Sequence, residues 1–180
     1  MNAMLKTGLL TLGLGIAYCP ADAGAAVATH IRFSNAVNYC QAFTPGPSNT
    51  IRNRVIGSEN IGPPIAVACN FHHDTNGAPG NTNPTLIEVF FTNGGTTAAS
   101  VSCTLLTGTS AGVSVGTQYA VTKTVSIGAS GAFFLDWTTA DNPTAGATDL
   151  GSRLVGVNCN LPTNMTISAT FVQWSADNGV

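Results

Sequence analysis

The sequence predicts an all-β fold, an antiparallel two-sheet β-sandwich of Ig-like or jelly-roll-like outline, stabilised by disulfides. Three observations carry that expectation. Apolar and polar residues alternate at period two in one run after another, and no stretch sustains the 3.6-residue period of an amphipathic helix. Turn clusters such as Pro45-Gly46-Pro47, Asn93-Gly94-Gly95 and Asp141-Asn142-Pro143 separate the runs. The chain has 180 residues, 44% apolar against only 8% charged, which is enough for one packed domain and too little for two.

Taken in order, residues 1–23 read as a secretory leader. Met1 to Lys6 carry one positive charge, and Gly8 to Ala17 form an uncharged apolar run that suits an h-region and is too short to span a bilayer. Ala21-Asp22-Ala23 offers the small residues signal peptidase needs, so cleavage is expected between residues 23 and 28, leaving 24–180 as one domain. Tyr18 precedes Cys19 where lipidation would require a small residue. No later segment reaches the roughly 18 apolar residues of a membrane helix. The product is expected in the periplasm or outside the cell.

Strands are expected at residues 29–33, 51–56, 65–71, 85–92, 100–106, 118–127, 132–137, 153–160 and 165–174. Their phases give the core. Ile87, Val89 and Phe91 form one inward row, Tyr119, Val121, Val125 and Ile127 a second, Phe133, Leu135 and Trp137 a third. Met165, Ile167, Ala169 and Phe171 form the last row, after which Val172 and Trp174 change face, as a β-bulge would make them do. Lys123 interrupts the second row, through either a bulge or an ammonium that snorkels past an edge. Gly128 to Gly131 reads as the turn between two strands.

Without the leader the cysteines are Cys40, Cys69, Cys103 and Cys159, an even set that in an exported chain reads as two disulfides. Four cysteines allow three connectivities, and sequence alone does not choose among them. Cys69, Cys103 and Cys159 each share a phase with aliphatic neighbours, whereas Cys40 falls at a strand end or in a loop. The preferred pairing is Cys40 with Cys69 and Cys103 with Cys159. Closing loops of about 30 and about 57 residues contributes roughly 3–4 kcal/mol each in the chain-entropy model.

The run Val101-Ser102-Cys103-Thr104-Leu105, followed by Val157-Asn158-Cys159-Asn160-Leu161-Pro162 and a closing alternating strand, resembles small secreted bacterial β-sandwich proteins, most of them without an assigned function. The resemblance covers residues 65–174. It implies a sandwich whose late cysteines join two strands, and it brings no catalytic residues.

Composition narrows the function. Beyond the leader the only cations are Arg32, Arg52, Arg54, Lys123 and Arg153, far too few and too scattered to neutralise nucleic-acid phosphates. For a metal, the weak candidates are His72, His73 and Asp74 with His30 as a further ligand; adjacent histidines face one ion only from a loop. The oxygen-rich stretch from Asp74 to Asn83 lacks the spacing of a calcium loop. A copper-chelating terminal His30 would need cleavage after Thr29, a poor residue at that position. No cofactor is expected. Glu88 and Asp136 share the face opposite Val89 and Leu135 and could flank a groove. Arg52 and Arg54 suit a solvated strand edge.

Trp137, Trp174, Tyr119 and Phe90 are the aromatics to weigh for ligand contact, with Trp174 the better exposed candidate. The favoured function is a secreted non-catalytic binding or surface-structural module, whose partner is a polysaccharide or another extracellular protein. Two alternatives stand beside it. One is a carbohydrate-active or metal-dependent enzyme using His30, His72 and His73. The other is an extracellular subunit that assembles edge to edge, for which charge-poor, Thr-rich strands are suited.

Overall fold

Period-two alternation becomes strand wherever the sequence marks it, in a computed structural model that describes residues 27–43, 50–71, 83–110, 113–114, 118–152 and 154–177. The leader lies outside the described residues. The strands are β1 (Val27–Asn35), β2 (Cys40–Ala42), β3 (Ile51–Arg54), β4 (Gly57–Asn60), β5 (Ile65–Asn70), β6 (Pro84–Asn93), β7 (Ala99–Thr107), β8 (Thr109–Ser110), β9 (Val113–Ser114), β10 (Ala120–Ile127), β11 (Ala132–Thr138), β12 (Val155–Leu161) and β13 (Met165–Asp177). A six-stranded sheet runs β11-β6-β13-β4-β3, with β1 also paired to β13, and a five-stranded sheet runs β10-β7-β12-β5-β2. All pairings among the described residues are antiparallel, and β8 and β9 form a separate two-stranded sheet. The two sheets pack face to face as the expected sandwich.

Four strands, β2, β4, β8 and β9, were not legible in the sequence, and two of them, β2 and β4, join the main sheets. β2 begins at Cys40 and holds to β5 through the pair Cys40↔Cys69. β4 (GSEN) has no apolar residue and forms because β13 takes Ser58 and Glu59 opposite Ile167 and Thr166. The expected strand at 51–56 stops at Arg54, because Val55 and Ile56 form the two-residue turn of the β3–β4 hairpin.

The core is the buried side of both sheets. Trp137, Phe91, Ile87, Leu105, Leu150, Leu161, Met165 and Ile167 are its largest fully buried members. Lys123 keeps the inward phase of β10 without a bulge; its Nζ snorkels out to donate to Asp136 O at 2.7 Å and to Asp141 Oδ2 at 2.9 Å. Both disulfides staple neighbours within the five-stranded sheet: Cys40 to Cys69 joins β2 to β5, and Cys103 to Cys159 joins β7 to β12 at directly opposed positions.

Buried asparagines do what the disulfides do not, which is to tie one sheet to the other. Asn93 on β6 donates through Nδ2 to Ile127 O at 3.1 Å, Gly128 O at 3.0 Å and Thr97 O at 2.8 Å, and accepts from Gly95 N at 2.9 Å. Asn60 on β4 donates to Leu161 O and Pro63 O, both at 2.9 Å, and accepts from Thr50 Oγ1 and from Gly62 N. Trp137 adds a further cross-sheet bond, Nε1 to Val121 O at 3.1 Å.

Two expectations about the core are corrected. The phase change in β13 comes earlier than Val172: the register slips between Ile167 and Ala169, so Ser168 is the bulged residue and its Oγ donates to Phe90 O at 3.2 Å. Ala169 and Phe171 therefore leave the inward row for the outer face, and Thr170, Val172 and Trp174 turn in. Phe133 is 50% exposed, because β11 is an edge strand and the ring stacks on Phe134 instead of closing the core.

The bulge fixes Gly57. Its φ is +139°, and a Cβ there would stand 2.2 Å from Ile167 O and 2.7 Å from Ser168 Cα. Gly57→Ala is expected to destabilise the fold by about 2 kcal/mol or more, since backbone rather than a flexible side chain must yield; urea unfolding at constant m-value checks it. Asn93→Ala leaves one buried and two part-buried carbonyls without their donor and is expected to cost about 2–3 kcal/mol, measured the same way, with Thr92→Ala on the same strand as the near-neutral comparison.

Candidate binding face

The outer face of the six-stranded sheet is built from side chains in the polar phase of their strands. Cross-strand register places Phe33, Phe171, Glu88 and Asp136 in one row and Asn35, Ala169, Phe90 and Phe134 in the next. Directly opposed residues share a face at contact distance. The rings meet in sequence: Phe33 against Phe90 edge-on, Phe90 against Phe134 tilted, Phe134 against Phe133 stacked, each with centroids 5.6 Å apart. Phe33 is 66% exposed and Phe134 42%, with Val27 and Ile31 also exposed along β1. Contiguous exposed apolar surface of this kind marks an interaction site more often than an accident.

Glu88 and Asp136 stand side by side within this surface. Burial among the rings, and then the neighbouring Asp136 charge, push the Glu88 carboxyl above the usual carboxylate range. At one end of the face lies a cleft of about 430 Å³ lined by Arg54, Val55, Ile56, Glu59, Thr92, Gly94 and Thr166. Arg54 Nε holds Glu59 Oε2 at 2.7 Å as one wall, and the exposed tip of Val55 and Ile56 forms another.

The opposite sheet presents a different chemistry. Its outer rows run Thr122, Thr104, Asn158 and Thr124, Ser102, Asn160, with Thr104 and Thr122 hydroxyls 2.8 Å apart and Thr124 Oγ1 donating to Ser102 Oγ at 3.0 Å. These rows carry no charge and no ring.

The sequence-derived candidates are dispersed. His72, His73 and Asp74 lie outside the described residues. His30 sits on β1 with its ring stacked on Trp174 at 5.6 Å. Among the described residues no group of three His, Cys, Asp or Glu side chains is close enough to hold a metal ion. Trp174 is 6% exposed, because the bulge turns it inward. Trp137 is fully buried. Tyr119 is half-buried and donates its hydroxyl to Leu150 O at 3.0 Å; burial, then Asp141 and Asp149, push its pKa up to about 12, so it stays protonated. Of the aromatics weighed, only Phe90 belongs to the exposed face. Phe33 and Phe134 were missed, although an aromatic in the polar phase of a strand was the available signal.

The fold and the disulfides define the class: a disulfide-bonded, two-sheet antiparallel β-sandwich. The likeness to small secreted bacterial sandwich proteins is carried that far, to the architecture. No protein-family model matches the chain, and no curated protein matches it.

A carboxyl whose pKa is raised by folding binds its proton more tightly in the native state, so its contribution to stability falls as pH rises above the ordinary carboxylate range. Glu88→Gln is therefore expected to raise the thermal midpoint at pH 7 and to leave it unchanged at pH 3, where both forms are neutral; calorimetry at the two pH values checks the sign.

Proposed function

We propose that the protein is exported behind residues 1–23 and acts outside the cytoplasm as a non-catalytic binding or surface-structural module, with the aromatic outer face as its working surface. The observation that carries this reading is the run of ring contacts from exposed Phe33 through half-buried Phe90 to exposed Phe134 and Phe133. Flat ring faces supply apolar contact area at low entropic cost, which suits sugar rings of a polysaccharide or an apolar patch on another extracellular protein. Two disulfides are in keeping with an oxidising compartment. The alternative of a carbohydrate-active or metal-dependent enzyme using His30, His72 and His73 gains nothing from His30, whose ring is engaged with Trp174.

The test uses a Phe133→Ser, Phe134→Ser double variant, since both rings are substantially exposed and their loss leaves the core intact. The native protein is expected to sediment with the cell envelope and insoluble polysaccharide of the producing cells, and the variant to bind about tenfold or more weakly, as removal of two of the four rings would dictate. Equal recovery of both forms in the soluble fraction would overturn the reading.

A further inference from the structure

The long edges of the six-stranded sheet are finished differently. On one side β11 is tied to β10 of the other sheet through Trp137 Nε1 to Val121 O and Lys123 Nζ to Asp136 O. On the other side β3 is four residues long and carries Arg52 and Arg54, charges that discourage strand addition. β1 lacks such protection. It runs nine residues, pairs one-to-one with β13 from Val27↔Asp177 to Asn35↔Ala169 without a bulge, contains no proline and has Arg32 as its single formal charge. Among the described residues β13 is its only strand partner. Such an edge presents a row of backbone donors and acceptors to an incoming strand.

The edge is also stepped. Past Asn35, the flank of β13 passes from β1 to β4, which pairs at Thr166 and Ile167, and β3 lies one strand further out. β1 is therefore the floor of a notch one strand deep, walled by the β3–β4 hairpin at its Asn35 end, where Asn35 Nδ2 donates to Val55 O at 2.9 Å.

We infer that β1 of a second copy of this chain fills the notch, pairing antiparallel about a two-fold axis through Ile31 and normal to the sheet. The notch is self-complementary under that operation: each β1 forms the floor of the other's notch, and each β3 lies beyond the Val27 end of its partner's β1. Register points to the same axis. An odd shift would set outer-face residues against inner-face ones. Centring on Arg32 would oppose two guanidinium groups, a like-charge pair that destabilises. Centring on Ile31 uses all nine residues, sets Ile31 on Ile31 and Phe33 on Thr29, and brings no two residues of like formal charge into direct opposition. With a formal net charge of only -2, two copies repel weakly. Among the described residues β1 is the one long edge of the six-stranded sheet with neither such a tie nor paired charges, and a two-fold contact through it uses that edge of both copies, so the assembly closes as a dimer instead of growing into a filament.

This surface is distinct from the rings at Phe133 and Phe134, and the experiment separates the two. Sedimentation velocity of the exported protein from about 1 μM to about 1 mM, a range that spans weak to moderate association, is expected to show monomer passing to dimer and no larger species. Ile31→Lys puts two ammonium groups face to face on the axis and is expected to weaken the dimer by about tenfold or more. Ile31 is exposed, so the thermal midpoint is expected to hold. Ile31→Cys is expected to give a disulfide-linked dimer on mild oxidation, and Val55→Cys to give none. The Phe133→Ser, Phe134→Ser variant is expected to dimerise as the native chain does. A monomer throughout the range, open-ended polymers, or a dimer indifferent to Ile31→Lys would each overturn the inference.

Discussion

A strand has two faces, and β13 must serve both sides of the sheet it anchors. β6 lies along one flank and β1 with β4 along the other, so the phase of β13 sets the phase of its neighbours. The extra residue at Ser168 reverses that phase partway along. Before it, Met165 and Ile167 enter the core; after it, Thr170, Val172 and Trp174 do. Without the reversal Phe171 would go inward and Trp174 outward, and His30 would lose the ring it stacks on. The polar strand β4 owes its place to the same spot, since only a residue without a side chain lets its backbone approach Ile167 and Ser168 so closely.

The forces holding the sandwich are divided by direction. Along the five-stranded sheet the links are covalent, each disulfide fastening directly opposed residues on neighbouring strands and so fixing register. Between the sheets nothing is covalent. There the association rests on burial of Trp137, Phe91, Ile87 and Leu105, which is strong but indifferent to orientation. Asn60, Asn93 and the Trp137 indole supply what burial lacks, donors that must find particular carbonyls on the facing sheet. Each is fully satisfied, as a buried polar group has to be if it is to specify alignment without a net penalty.

Alternation made the fold legible because both sheets have one buried and one solvated face, so each strand writes its period into the sequence. The strand β4 wrote nothing, being polar and held by a tertiary contact. The bulge was legible as an event and not as a position: Ala169 and Thr170 are both small enough to suit either face, so the pattern shows the new phase only at Val172. The aromatic face was hidden for another reason. Phe33, Phe90 and Phe134 lie on strands far apart in the chain, and their adjacency comes from the order β1-β13-β6-β11, which no local pattern encodes.

The two outer faces differ in how they would treat a partner. The Thr, Ser and Asn rows of the five-stranded sheet satisfy one another's hydroxyls and interact readily with water. The ring face cannot be satisfied by water in that way, and it holds two carboxylates that oppose each other. A two-fold axis normal to the sheet keeps both ring faces on the same side of the assembly. Joining two copies through β1 would therefore double the ring surface while leaving Phe90 and Phe134 uncovered. Against a repetitive partner such as a polysaccharide, two weak patches held in fixed geometry bind far more tightly than either alone, since the second contact is intramolecular. An unprotected edge and an exposed aromatic face, each a liability in a monomer, become useful together.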